Sequence, residues 1–194
     1  FKAERPNACW LSDVTYIPTR EGWLYLAAVL DVYSRAIVGW AMSHTLGGQL
    51  TTDALAMAIS RRGVPELVHS DRGSTYPTSI YLELIRKHGI RQSMSRKGNC
   101  WDNAPMESFF HSLKTELVMH CDYKNRDQAR GSVFDYMEVF YNRQRRHSTI
   151  NYVAPLAFEK STSARSDCPL FVGNIKTGRP STSANDPNQP LALH

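Results

Sequence analysis

The sequence has no stretch long and apolar enough to span a membrane. Its longest uninterrupted apolar run, Trp23 to Leu30, falls far short of the ~20 residues of a spanning helix. No charged-then-apolar signal segment opens the chain, so a soluble, cytoplasmic protein with no membrane partner is expected. Cysteine is scarce. Cys9, Cys100, Cys121 and Cys168 are too far apart to compose a CxxC or a Cys/His ligand spacing, which argues against a zinc site and a disulfide scaffold and leaves all four as reduced thiols. Internal repeats are absent, and so is a large excess of one charge. Twenty-three Lys and Arg against eighteen Asp and Glu leave +5, with a pI near 9.1, which permits a polyanionic partner without establishing one. The composition is 42% apolar and 21% charged over 194 residues, enough to bury a core and to exclude global disorder. That length suits one domain with some extra chain. The first residue is Phe rather than Met, so the chain reads as a piece of something longer.

Ala8 to Ile17 is strand-like, a turn comes next over Pro18–Gly22, and WLYLAAVLDVY is apolar on both faces as an interior strand must be. A third strand is expected over Ala36 to Met42. The short connections make these three an antiparallel meander. Leu50, Ala54, Leu55, Ala58 and Ile59 share one side of a helix over Gln49–Arg62. Pro65 to His69 reads as a strand after it, most easily parallel to an earlier one. A helix over Thr78–His88 leads to a short strand at Ile90–Met94, and SRKGN is loop. Asp102 or Asn103 can cap the next helix, with Pro105 in its first turn and Met106, Phe109, Phe110, Leu113 and Leu117 as its apolar stripe. A last helix over Arg126–Tyr141 should bury Val133, Met137, Phe140 and Tyr141. The expected division is a folded domain over 1–160 and a disordered Ser/Pro-rich tail over 161–194. Three meandering strands, helix, strand, helix, strand and then helices give an α/β fold. The order is that of a ribonuclease-H-like, mixed five-stranded sheet with helices on both faces.

Three carboxylates stand out. Asp13 lies inside the strand-forming segment WLSDVTYI, where an ionised group is expensive to bury without a cation or strong donor. An edge-strand Asp facing water is the alternative. Asp71 falls where the strand VHS gives way to turn residues, a position suited to ligand chemistry in an open α/β sheet but also common for turn-initiating Asp. Glu107 sits near the start of a helix on its polar side, where favourable interaction with the helix dipole would equally explain it. His111 and Lys114, four and seven residues on, share its face, as a solvated charged face also would. Together the three come from one strand, the end of its expected neighbour, and a helix entering the same edge. Oxygen ligands without His or Cys suit Mg²⁺ or Mn²⁺ better than zinc, and two such ions can activate an attacking oxygen and stabilise the leaving oxygen of a phosphodiester. Arg86, Lys87, Arg91, Arg96 and Lys97 occupy an acid-free stretch, and YNRQRRH adds Arg143, Arg145 and Arg146. These are candidate phosphate contacts, with a solvated basic surface as the alternative reading.

At these residues the sequence resembles the integrase-like catalytic domain of bacterial insertion-sequence transposases, the second-frame product of the IS-three group, and more distantly retroviral integrases. The matching segments are WLSDVTYIPT (10–19), LDVYSRAIVGW (30–40), HSDRGSTY (69–76), SMSRKGNCWDNAPMESFFHSLKTEL (93–117) and FYNRQRRHSTINYVAPLAF (140–158). Thirty-five residues separate Asp71 from Glu107, the spacing of the Asp-Asp-Glu superfamily. The resemblance implies Asp13, Asp71 and Glu107 as catalytic and metal-binding carboxylates for Mg²⁺ or Mn²⁺, two ions in all. It makes Lys114 a DNA contact and the loop Ser93–Trp101 a mobile part of the DNA channel. Asn142 and His147 fall in a motif of the group without an assignable role. The implied reaction cleaves DNA at element ends and transfers the 3′-hydroxyl strand into target DNA, by a homo-oligomer acting at the bacterial nucleoid. No helix-turn-helix segment precedes Phe1, so end recognition is expected from a region or companion protein outside this chain. Two other readings stay open: a non-catalytic DNA-binding or assembly remnant of a transposase, and a ribonuclease-H-like nuclease that cleaves without joining.

Overall fold

In the computed structural model, which describes residues 3–71, 73–94 and 103–166, the first strand is the frame on which the rest of the sheet is built. Strand β1 (Cys9–Thr19) pairs antiparallel with β2 (Gly22–Asp31), and β2 pairs antiparallel with β3 (Ile37–Ser43). The turn is tighter than the sequence suggests. Pro18 still faces Trp23 and Thr19 faces Gly22, leaving Arg20-Glu21 as the loop and Gly22 at φ 104°. A proline is tolerated in β1 there because the strand has outrun its other neighbour. That neighbour, β4 (Leu67–Ser70), runs parallel to β1 and stops pairing at Ser12↔Ser70, and β5 (Arg91–Met94) lies parallel beyond it. The sheet order is β3-β2-β1-β4-β5, a mixed five-stranded ribonuclease-H-like sheet.

Alternation along β1 and β2 divides the core between the two faces. Leu11, Ile17, Leu24, Leu26, Ala28 and Leu30 pack with Met106, Phe109 and Leu113 of helix α3 (Ala104–Glu116) and Val133 of α4 (Arg126–Asp135). Trp10, Ala27, Val29 and Val38 pack on the other face against α1 (Gly48–Arg62) and α2 (Ser79–Lys87). Contact between α1 and the sheet is close at Gly39, where a Cβ would lie 2.4 Å from the Ala54 carbonyl oxygen. Each fully buried large side chain contributes roughly 1.5–3 kcal/mol. Asp31, fully buried at the end of β2, accepts hydrogen bonds from the backbone N–H groups of Asn7 and Tyr33 at 2.9 Å, so this carboxylate is structural.

The last long helix departs from its expected form. After Asp135 the chain widens into a π-helical turn, Tyr136–Tyr141, marked by the Asn142 N–H bonding to the Met137 carbonyl. The extra residue rotates the next residues about the helix axis: Tyr141 and Asn142 turn inward, and Phe140, expected in the core, is 40% exposed. Helix α5 (Pro155–Ser166) runs through residue 160, where the composition suggests a domain end. Most of the expected tail, from residue 167, lies outside the described residues, as do Cys100, Asp102 and Cys168. Cys9 and Cys121 are free thiols, and no described helix is long and apolar enough to cross a membrane.

Candidate active site

Parallel pairing of β1 with β4 ends at Ser12↔Ser70, so the next residue of each chain segment, Asp13 and Asp71, stands side by side where β4 gives way to loop. Both line one cavity of about 200 Å³, with Val14, Thr15, Tyr76 and Gly73 among its walls. Asp71 is held by its own turn, its Oδ1 accepting from the Gly73 N–H at 2.8 Å. Asp13 shares a face with Leu11 and Ile17, the face covered by α3, and the start of that helix reaches it directly. Asn103 donates from Nδ2 to Asp13 Oδ2 at 2.9 Å, and the Val14 N–H donates to Oδ1 at 2.7 Å. Asn103 was expected to cap α3 but makes no side-chain cap bond; its amide is turned to the carboxylate instead. Glu107, one helical turn further along α3, is exposed and does not line the Asp13–Asp71 cavity.

Burial pushes the Asp13 carboxyl up to about 6, and the charges of Asp71 and Glu107 push the same way, against the lowering effect of the Val14 and Asn103 hydrogen bonds. The charges of Asp71 and Glu107 are therefore felt at Asp13. Among the described residues no group of three His, Cys, Asp or Glu side chains is close enough to hold a metal ion. Arg96 and Lys97 lie outside the described residues. Lys114 extends to the outer edge of β1, its Nζ 4.8 Å from the ring centroid of Tyr16, which stacks edge-on against Trp23 at 4.8 Å. Both rings are about half exposed.

The arginines of YNRQRRH have different surroundings. Arg145 bonds Glu116 through Nε and Nη2 and reaches Ser112 Oγ at 2.9 Å, while Glu116 also accepts from the Tyr136 hydroxyl at 2.7 Å. That guanidinium ties α3 to the segment after α4. Arg143 is exposed and donates to the Glu138 carbonyl. Arg146 lines a cavity with Arg35, Ser108 and His147. Asn142, without an assignable role in the sequence, is buried and pairs with Ile37: its Oδ1 accepts from the Ile37 N–H and its Nδ2 donates to the Ile37 carbonyl, both at 2.9 Å. His147 stacks edge-on against Tyr141 at 4.8 Å. Sequence reasoning did not single out Asn103 as a partner of Asp13, nor Tyr16 beside Lys114. An Asn four residues before a candidate Glu is the one signal that could have pointed to the first.

A mixed sheet of order β3-β2-β1-β4-β5, with one carboxylate inside the central strand and a second just past the end of its parallel neighbour, is the arrangement of an integrase-like core. Residues 3–100 match the integrase core domain family, and residues 107–162 match a second integrase core domain family. The chain belongs to the integrase core domain family. It is 48% identical over 166 residues to the transposase InsF of insertion sequence IS3A from Escherichia coli K12, covering 84% of this chain and 58% of that protein. The 31 kDa protein of insertion element IS600 from Shigella sonnei is 47% identical over 162 residues, covering 82% of this chain and 60% of its own length. The chain thus spans less than two thirds of these relatives. Among solved structures, the HTLV-2 integrase catalytic core in complex with magnesium matches with a TM-score of 0.63 at 18% identity, over 80% of this chain and 98% of that one. A chain of a simian T-cell lymphotropic virus intasome matches with a TM-score of 0.69 at 15% identity, over 95% of this chain and 63% of that one.

Proposed function

We propose that this chain is the catalytic core of a bacterial insertion-sequence transposase, an Asp-Asp-Glu polynucleotidyl transferase that cleaves DNA ends and transfers the 3′-hydroxyl strand into target DNA. The observation that carries the reading is the register of β1 against β4, which sets Asp13 beside Asp71 under the start of the helix that bears Glu107. The 48% identity to a transposase supports the same activity. The core is assigned to residues 1–160 and residues 161–194 to a tail outside the chemistry.

In chemical type, though not in the spacing of Glu107 from the other two, the donor set suits Mg²⁺ or Mn²⁺. It consists of carboxylate oxygens, and the Asp13 carboxyl, raised first by burial and then by the charges of Asp71 and Glu107, would be favoured in its ionised form by a bound cation. Magnesium accompanies the related HTLV-2 core. Asp13, Asp71 and Glu107 would hold the ions, two in this reading, which lower the pKa of an attacking hydroxyl and stabilise the charge on a leaving oxygen. The protein's own part is positioning. Asn103 and the Val14 N–H fix the Asp13 carboxylate, the Gly73 N–H fixes Asp71, and the fold half-buries Asp13. In cleavage, water attacks phosphorus and the P–O3′ bond breaks, leaving a 3′-hydroxyl. In joining, that hydroxyl attacks a target phosphodiester and one P–O bond replaces another, so no nucleotide triphosphate is consumed. Lys114, Arg96, Lys97, Arg143, Arg145 and Arg146 serve as backbone phosphate contacts, with Arg145 also tying α3 in place. Two DNA ends joined in one event call for a homo-oligomer on DNA, acting in the bacterial cytoplasm at the nucleoid.

A joining assay separates this function from that of a nuclease. Labelled duplex ending in a free 3′-hydroxyl should give Mn²⁺-dependent joined products with the wild-type chain and none with Glu107→Gln. The same duplex ending in 3′-deoxy should give no joined product with either. Cleavage without joining on the 3′-hydroxyl substrate would instead mark a ribonuclease-H-like nuclease.

A further inference from the structure

A concentration of arginine among the described residues lies outside the carboxylate site. A cavity of about 550 Å³ opens between the first turns of α3, the β2–β3 turn and the segment after α4, lined by Arg35, Ser108, Arg145, Arg146, His147 and Tyr152 among others. Among the described residues no carboxylate lines it. The charge of Arg145 is already met by Glu116, but Arg35 and Arg146 have no carboxylate partner among the described residues.

Arg35 is unusual in two independent ways. Its backbone takes φ 66°, a left-handed conformation that favours Gly, Asn or Asp and is costly for a long side chain. Its guanidinium is half-buried, and burial holds it below the usual arginine range. A desolvated cation without a counter-charge is unfavourable unless an anion completes it. The orphaned, buried His147 Nε2 lies at the same cavity. Burial and the charges of Arg145 and Arg35 push that imidazole down to about 4, so it is neutral near pH 7 and the cationic character of the cavity comes from arginine.

We propose that this cavity is a phosphate site that seats a backbone phosphate of the DNA strand crossing the active site, with Arg35 and Arg146 as cationic ligands and the Ser108 and Tyr152 hydroxyls as donors. The inference rests on the DNA-processing function proposed above and extends it to a particular subsite. Ser108 is the residue after Glu107 on α3, so the cavity opens one position round the helix from the third carboxylate. Successive helix positions differ by about 100°, so a strand that passes Glu107 and follows the surface of α3 round by that angle meets the cavity. Fork-shaped guanidinium groups suit a phosphodiester's two free oxygens.

The test reads duplex DNA binding by fluorescence anisotropy in EDTA, so that it does not depend on the carboxylate chemistry. Arg35→Asn removes the cation while keeping a residue that tolerates left-handed backbone, and Arg35→Lys restores the charge. Arg35→Asn is expected to weaken binding about tenfold at low salt and to reduce the slope of log K against log[salt] by about one contact. Arg35→Lys should recover most of the loss, and Arg146→Ala should move both readouts the same way. The melting temperature of Arg35→Asn should not fall, because the side chain has no hydrogen-bond or ion-pair partner among the described residues to lose. Unchanged DNA affinity and salt slope would overturn the assignment to DNA. Calorimetry with inorganic phosphate forms the second arm: phosphate binding lost in Arg35→Asn, with DNA affinity unchanged, would keep the anion site and overturn its DNA source. A lowered melting temperature with neither ligand affected would overturn the site itself. Should joining fail while these binding effects hold, the transferase function falls and the phosphate site stands.

Discussion

Asp13→Asn is expected to melt several degrees above the wild type at pH 7 in EDTA and to have lost its DNA-joining activity. The Asp13 carboxyl is raised from 3.8 to about 6, first by burial and then by Asp71 and Glu107. The folded state therefore binds this proton more tightly than the unfolded chain does. The stability from the protonated form is fully present below the unfolded value of 3.8 and is lost as the pH rises to about 6. At pH 7 the ionised group costs on the order of 3 kcal/mol. Asparagine removes the charge but keeps only one acceptor for the two donors, Asn103 Nδ2 and the Val14 N–H, so part of the gain is offset and a rise of several degrees is expected for a domain of this size. The wild type should be more stable at pH 5 than at pH 7 through this group, and Asp13→Asn should lack that part of the slope. Joining should fall at least ~10³-fold, because an amide cannot supply the carboxylate that the chemistry requires. Melts at pH 5 and pH 7, with single-turnover joining on the same preparations, check both halves. A variant that melts lower than the wild type would make Asp13 a structural carboxylate like Asp31.

The second large effect is on folding. Asn142→Ala removes both partners of Ile37 at once, leaving a buried N–H and a buried C=O on edge strand β3 without hydrogen bonds. Each orphaned group costs about 1–3 kcal/mol, so a loss of roughly 2–5 kcal/mol and a fall of about 10 °C are expected. Asn142→Asp keeps the acceptor, loses the donor and adds a buried charge, and should be no better. Urea denaturation of the three proteins measures this directly. A loss under about 0.5 kcal/mol for Asn142→Ala would mean that water replaces the amide on β3. The same residue explains part of the YNRQRRH motif: it joins the end of the π-helical turn to the sheet, and its backbone carbonyl accepts from Leu156 at 3.0 Å, leading the chain into α5.

Sequence pattern carried the elements and their order. The double-sided apolar run of β2, the α1 stripe from Leu50 to Ile59 and the strand-embedded Asp13 all have physical signatures that survive without coordinates. Pairing of Asp13 with Asp71 was legible only in part, because periodicity says which face a residue occupies and not which strand lies beside it. The exposure of Phe140 was not legible, since a single i→i+5 turn shifts the phase of every later residue in the helix. Asp102 or Asn103 can cap α3 by local pattern, and Asn103 does hold the N-cap position, though without a side-chain cap bond. A long-range competitor, the half-buried Asp13 carboxylate, takes its amide instead. Arg145 was indistinguishable from Arg143 and Arg146 by charge alone, and only the position of Glu116 across the interface sets it apart. The left-handed turn at Arg35 has no compositional signal, because the residue that occupies it is not one that favours it.

The measurement that bears most directly on the proposed active site is single-turnover joining of a labelled 3′-hydroxyl duplex across a Mn²⁺ titration, with Asp13→Asn, Asp71→Asn and Glu107→Gln beside the wild type. Metal-dependent joining by the wild type is expected, with all three variants at background while circular dichroism shows each one folded. Wild-type rates in any one of the three would remove that carboxylate from the site, and wild-type joining without divalent metal would contradict the proposed chemistry altogether.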